Sequence, residues 1–88
     1  MEVTFNVAKD TSNIAKHGVS LAEAEAFEWD DALIWPDLRR DYGEERMIGI
    51  GYIGLRLMHV VFVDRDDSRW IISLRKANAR EVKRYAET

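Results

Sequence analysis

Five side chains hold most of the chemistry this sequence could perform: Lys16 and His17, adjacent in "NIAKHGVS", then Arg46, Arg69 and Arg75. Four carry fixed positive charge and one titrates near neutrality. Cleavage of RNA without a metal asks for such a set. The 2'-hydroxyl must lose a proton, the negative charge growing on phosphorane oxygens must be held, and the leaving 5'-oxygen must gain a proton. Arginine suits the middle task, because its planar fork grips two phosphate oxygens and stays charged. Spacing alone does not bring these groups together. On a single extended strand Arg69 and Arg75 stand about 20 Å apart, too far to share one phosphate.

Each group also has a plainer reading. His17 falls where a helix should end, and a cation there gains about 0.3–1 kcal/mol from the helix dipole while capping carbonyls. Lys16 can be a solvated charge, Arg46 a partner for Glu44 or Glu45, and Arg75 a partner for a nearby acid. His59 lies in the apolar pattern of Leu57, Val61 and Val63 and reads as a hydrogen-bonded, buried or half-buried histidine. Trp29, Trp35 and Trp70 read as core or interface anchors rather than base-stacking platforms.

Composition removes several function classes. The 88 residues contain no cysteine, so disulfides, thiolate metal sites and cysteine nucleophiles are absent. Two histidines without cysteine make a zinc site improbable, and no phosphate-cradling loop or nucleophile elbow occurs, so no cofactor or metal is expected. The net charge of −3 argues against general nucleic-acid affinity. Its distribution is uneven: residues 1–64 hold six basic against twelve acidic side chains, residues 65–88 seven against four. A cationic last quarter on an acidic body is consistent with a polyanion partner or with a solvated helix face. One domain spanning residues 1–88, soluble and cytosolic, with no membrane segment, is the expectation.

The elements that must position these groups follow from local pattern. "VTFNV" alternates as a first strand over residues 3–7, and residues 9–17 form a helix stopped at Gly18, anchored by Ile14 alone among large apolar residues. Ser20 with Glu23 is a capping box, and Leu21, Ala24 and Phe27 share one arc of a helix over 21–28. "DALIW" is a short strand ended by Pro36. From Arg46, two apolar runs broken at Gly54 make a β-hairpin, since a helix would carry three interior glycines at up to about 1 kcal/mol each. "RWIISLR" alternates with Trp70, Ile72 and Leu74 on one face and Arg69, Ile71, Ser73 and Arg75 on the other. Asn78 and Glu81 open a last helix whose apolar arc, Ala79, Val82, Tyr85 and Ala86, should dock while Arg80, Lys83, Arg84 and Glu87 face water. The plan is α+β, with a mostly antiparallel sheet, two N-terminal helices and one C-terminal helix.

Three segments in order, "NIAKHGVSLAEAEAFE", "YGEERMIGIGYIG" and "WIISLRKANAREVKRYAE", resemble the successive motifs of the BrnT family, toxins of bacterial BrnT/BrnA toxin–antitoxin pairs. The resemblance runs from about residue 5 to residue 86. It implies a RelE-like fold, a metal-independent endoribonuclease that arrests growth, neutralisation by a ribbon-helix-helix BrnA-like antitoxin, and operator DNA bound indirectly through that antitoxin. Carried over by motif, the catalytic candidates are Lys16, His17, Arg46 and Arg75. Arg69 enters as an RNA-binding candidate, as do Arg80, Lys83 and Arg84, which are otherwise a surface for an acidic antitoxin. Members usually open with a Trp-Asp pair, where this chain has Phe5 and Asn6. That lost carboxylate and the acidic body keep a second reading open, a weak or inactive module that scaffolds its antitoxin.

Overall fold

The hairpins dictate most of the sheet. In the computed structural model, which describes residues Met1–Thr88, strands β3 (Met47–Ile53) and β4 (Arg56–Arg65) pair antiparallel across Gly54 and Leu55. Gly54 takes a φ of 59°, the conformation a two-residue hairpin turn demands and a side chain resists. β4 then pairs antiparallel with β5 (Ser68–Lys76) across the Asp66–Asp67 turn. The edges are β2 (Leu33–Pro36), antiparallel to β3, and β1 (Glu2–Phe5), parallel to β5. The five strands run in the order β1-β5-β4-β3-β2, a mixed sheet in an α+β fold.

Asn6 ends β1 and begins helix α1 (Val7–His17), its side chain accepting from the Lys9 amide at 3.1 Å. Asparagine caps a helix about as well as aspartate, so the loss of a carboxylate at this position leaves the local structure intact. Gly18, left-handed at φ 72°, ends α1 and donates its amide to the Ile14 carbonyl at 2.8 Å. The expected anchor is corrected by one residue: Ile14 is exposed and Asn13 is buried. β1 pairs only with residues 68–71 of β5, and the Asn13 amide serves the strand beyond. It donates to the Leu74 carbonyl at 2.7 Å and to the Val19 carbonyl at 2.8 Å, and accepts from the Leu74 amide at 3.3 Å. One side chain thus does for Leu74 what a neighbouring strand would.

The second expected helix is a 3-10 helix, Leu21–Ala26, with its capping box formed by Ser20 and Glu23. The tighter winding has a reason in the sequence. Leu21, Ala24 and Phe27 recur every third residue, which a three-residue turn stacks in one line, and all three are buried. A second 3-10 turn, Trp29–Asp31, leads into β2. The core lies between these turns and one face of the sheet, where Met58, Val60, Phe62, Ile71 and Leu74 meet Leu21, Ala24 and Phe27. Trp29 packs edge-on to Phe27 and Phe62, with ring centroids at 4.6 and 5.0 Å. Gly51 admits Phe27 to this layer, since a Cβ there would stand 2.8 Å from the ring tip.

A β-bulge corrects the expected facing of β5. The ladder pairs Phe62 with Ile71 but Val61 with Ser73, so Ile72 is an extra residue. Alternation resets there. Arg69 and Ile71 share the core face with Leu74, while Ser73 and Arg75 face the other way with His59 and Val61. The closing helix α2 (Ala79–Ala86) lies over that second face and has no buried residue. Its expected apolar docking arc holds only at Tyr85, which packs on Tyr52; Ala79, Val82 and Ala86 are exposed, and Glu81 and Arg84, the latter expected to face water, supply the other contacts. No helix is long and apolar enough to cross a membrane.

Candidate active site

The second face of the sheet, α2 and the segment after β2 enclose an open cavity of about 650 Å³. Arg39, Arg75, Arg80 and Arg84 line it with His59, against the acids Asp37 and Glu81. β5 supplies Arg75 because the bulge turns it this way, and β4 supplies His59 directly opposite in the ladder. α2 supplies Glu81, the residue that also closes its capping box on the Asn78 amide at 2.9 Å.

The centre is an ion pair with two-point geometry. Arg75 Nη1 and Nη2 donate to Glu81 Oε1 and Oε2, each at 2.8 Å. The same Oε2 lies 3.5 Å from His59 Nε2. Desolvation raises the Glu81 pKa, but the hydrogen bonds from Arg75 and Asn78 and the charges of His59 and Arg75 outweigh it, bringing the carboxyl down to about 2. His59 is pushed below its ordinary value, first by burial and then by the Arg75 charge, with Glu81 opposing. Its Nδ1 is buried without a partner.

The rim is built from the polar connection after Pro36. Asp37, its side chain 1% exposed, accepts from Arg39 Nε and Nη2 at 2.8 Å each and from the Tyr42 hydroxyl at 3.2 Å. The Arg39 hydrogen bonds hold this carboxyl well below the usual carboxylate range. Arg84 lies 3.9 Å over the Trp35 ring, which lines the same cavity. That tryptophan, read from sequence as a core or interface anchor, is part of a basic and aromatic wall.

The remaining candidates are distributed around this centre. Lys16 and His17 are exposed at the end of α1 and line a neighbouring hollow with Lys9, Ser12, Ile72 and Ser73. Ser73 also lines the main cavity, so the two hollows meet at that residue. Arg46 lies on the other side, its guanidinium 4.0 Å over the Tyr42 ring and its Nε buried without a partner. Its hollow shares Asp37 and Leu38 with the main cavity. Arg69 is on the opposite face, paired with Asp64 at 2.7 Å and lying over the rings of Trp29 and Phe62. Lys83 is exposed on α2 and does not line the cavity.

Sequence reasoning passed over His59 and Glu81 as chemistry. Counting the β4–β5 ladder back from the Asp66–Asp67 turn is the signal that could have found His59, yet it sets His59 against Leu74. The extra residue at Ile72 moves Arg75 into that place.

The comparisons with known proteins agree on one family. Residues 5–81 match the family model described as the ribonuclease toxin BrnT of type II toxin–antitoxin systems. The crystal structure of the Brucella abortus ribonuclease toxin BrnT superposes with a TM-score of 0.70 at 29% identity, covering 89% of this chain and 97% of that one. No curated protein sequence matches significantly. With a family model covering most of its length and a sheet and helices that superpose on a solved member, the chain belongs to the BrnT family of ribonuclease toxins of type II toxin–antitoxin systems.

Proposed function

We propose that the cavity beneath α2 is where this toxin cleaves RNA, by attack of the 2'-hydroxyl on the adjacent phosphate and without a metal. The observation that carries the reading is the Arg75 fork, which grips a carboxylate at two points in the geometry it would use for a phosphate. Arg80 and Arg84 on the same cavity add charge along the RNA backbone, and Lys83 extends that charge along α2. Lys16 and His17 extend the track through Ser73, Lys16 as charge and His17, by the family resemblance, as a proton-transfer group. Arg46 serves the RNA on the far side of Asp37. Arg69 has no RNA role in this reading, because its partners lie on the core face.

The same reading keeps the fold with RelE-like toxins and places the activity in the bacterial cytoplasm. A BrnA-like ribbon-helix-helix antitoxin neutralises it and carries the pair to operator DNA.

Purified protein freed of antitoxin should cut RNA in EDTA, leaving a 2',3'-cyclic or 3'-phosphate end, and a 2'-deoxy substitution at the mapped cut site should block it. Arg75→Ala should lower the rate well over tenfold, and equal rates would remove Arg75 from the mechanism. The rival reading, an inactive scaffold for the antitoxin, draws on the fact that Glu81 already occupies the fork. Harmless expression of folded protein with intact cellular RNA would favour it.

A further inference from the structure

The least accounted-for group in the molecule is His59. It is 9% exposed, and its Nδ1 is one of only two buried side-chain polar atoms without a partner, the other being Arg46 Nε. Buried polar atoms are mostly paired, and an apolar side chain at this position would continue the pattern of Val61 and Val63 without leaving an atom unpaired. The other nitrogen, Nε2, points to the anion on the Arg75 fork: Glu81 Oε2 stands 2.8 Å from Arg75 Nη2 and 3.5 Å from His59 Nε2. An RNA phosphate taking that fork puts an oxygen in the same place.

We infer that His59 is the proton-transfer residue of this cavity, taking the proton of the 2'-hydroxyl and delivering it to the leaving 5'-oxygen. The inference rests on the ribonuclease reading above and names the catalytic residue for it. With its proton on Nδ1, the imidazole presents the Nε2 lone pair to the cavity. The 2'-O–H bond breaks to Nε2, the 2'-oxygen bonds to phosphorus, and the phosphorus–O5' bond breaks as the 5'-oxygen takes the proton from Nε2. The products are a 2',3'-cyclic phosphate and a 5'-hydroxyl, and His59 returns to its neutral form with nothing else consumed.

The surroundings favour that form. Arg75 faces His59 from β5, Glu81, Arg80 and Arg84 from α2, and Asp37 and Arg39 from the segment after β2. Burial and Arg75 disfavour the imidazolium, and Glu81 only partly offsets them. Glu81 must yield the fork first, and it sits on α2, which has no buried residue and rests on the sheet through the Arg84–Trp35 and Tyr85–Tyr52 contacts. His17 is exposed and lines the adjoining hollow, and on this inference the proton-transfer role that the family resemblance gives it passes to His59.

The test uses the intact chain without antitoxin and an oligoribonucleotide carrying its mapped cut site. His59→Gln, with a melting curve like wild type, should cut at least about 100-fold more slowly with KM within about threefold. The acid limb of wild-type kcat/KM, set below the ordinary histidine range by burial and the Arg75 charge, should vanish in that variant. His59→Ala should regain at least about tenfold in rate on adding imidazole. An unchanged rate in His59→Gln, or an acid limb that survives it and vanishes in His17→Gln, would overturn the inference. A second measurement needs no His59 variant. In NMR titrations of the wild type, inorganic phosphate should shift the His59 ring nitrogens and raise their titration midpoint, and Arg75→Ala should abolish the response. A silent His59 also overturns the inference. If phosphate moves His59 but wild-type protein cuts no RNA, the ribonuclease reading falls, and the proton role with it.

Discussion

The two faces of the same sheet are built on opposite terms. One meets the 3-10 turns in a dry layer of Phe27, Phe62, Ile71 and Leu74, while the other holds His59, Ser73 and Arg75 beneath a helix with nothing buried. Burial on the first face stabilises the fold by about 25 cal/mol for each Å² of apolar surface removed from water. The second face sets ion pairs and a stacked cation among the buried side chains of Ile48, Ile50 and Val61. A packed layer and a charged cavity thus share the strands β4 and β5, divided by which way each side chain points.

The sharpest way to break that division is through the dry face. Phe62→Ala should cost about 3–5 kcal/mol, because the ring is 1% exposed and packs edge-on to Trp29. Urea denaturation measures it, and a loss under 1 kcal/mol would mean the layer is not the main support. On the wet face the largest stability effect should be electrostatic. Glu81 has a folded value of about 2 against an ordinary 4.5, so folding favours its charged form. Its contribution is present in full above pH 4.5 and is lost as the pH falls toward 2. That contribution is up to about 3 kcal/mol at neutral pH. The stability gap between wild type and Glu81→Gln should therefore close over that acid range. The smallest effect tests how α2 docks: Val82→Ser should stay within about 0.5 kcal/mol. A larger loss would restore the apolar arc as its contact.

Much of the fold was legible because its signals are local. The hairpin break at Gly54, the capping boxes at Ser20 and Asn78, and the stop at Gly18 are satisfied by atoms a few residues away. What escaped depends on partners far along the chain. Asn13 is polar and unremarkable until Leu74 arrives from 61 positions away. The docking of α2 was legible only at Tyr85, whose ring packs on Tyr52; the rest escaped for an energetic reason, because Ala79, Val82 and Ala86 are small and their burial is worth little beside a two-point Arg75–Glu81 pair. At the candidate site, Arg75 was readable as a phosphate grip by its chemistry. His59 was not, because pattern alone presents it as a member of an apolar strand.

Ile72 gives this small protein a phase. Upstream of it β5 is read in one parity, downstream in the other, and the change is fixed by a single inserted residue. Excising Ile72 would join Ile71 to Ser73 with every pairing kept, so Arg75 would still stand opposite His59. Smoothing the bulge with Ile72 retained would instead set Leu74 against His59 and turn Arg75 to the core face beside Met58. The cavity would then lose its arginine through a slip of register, with the sequence unchanged.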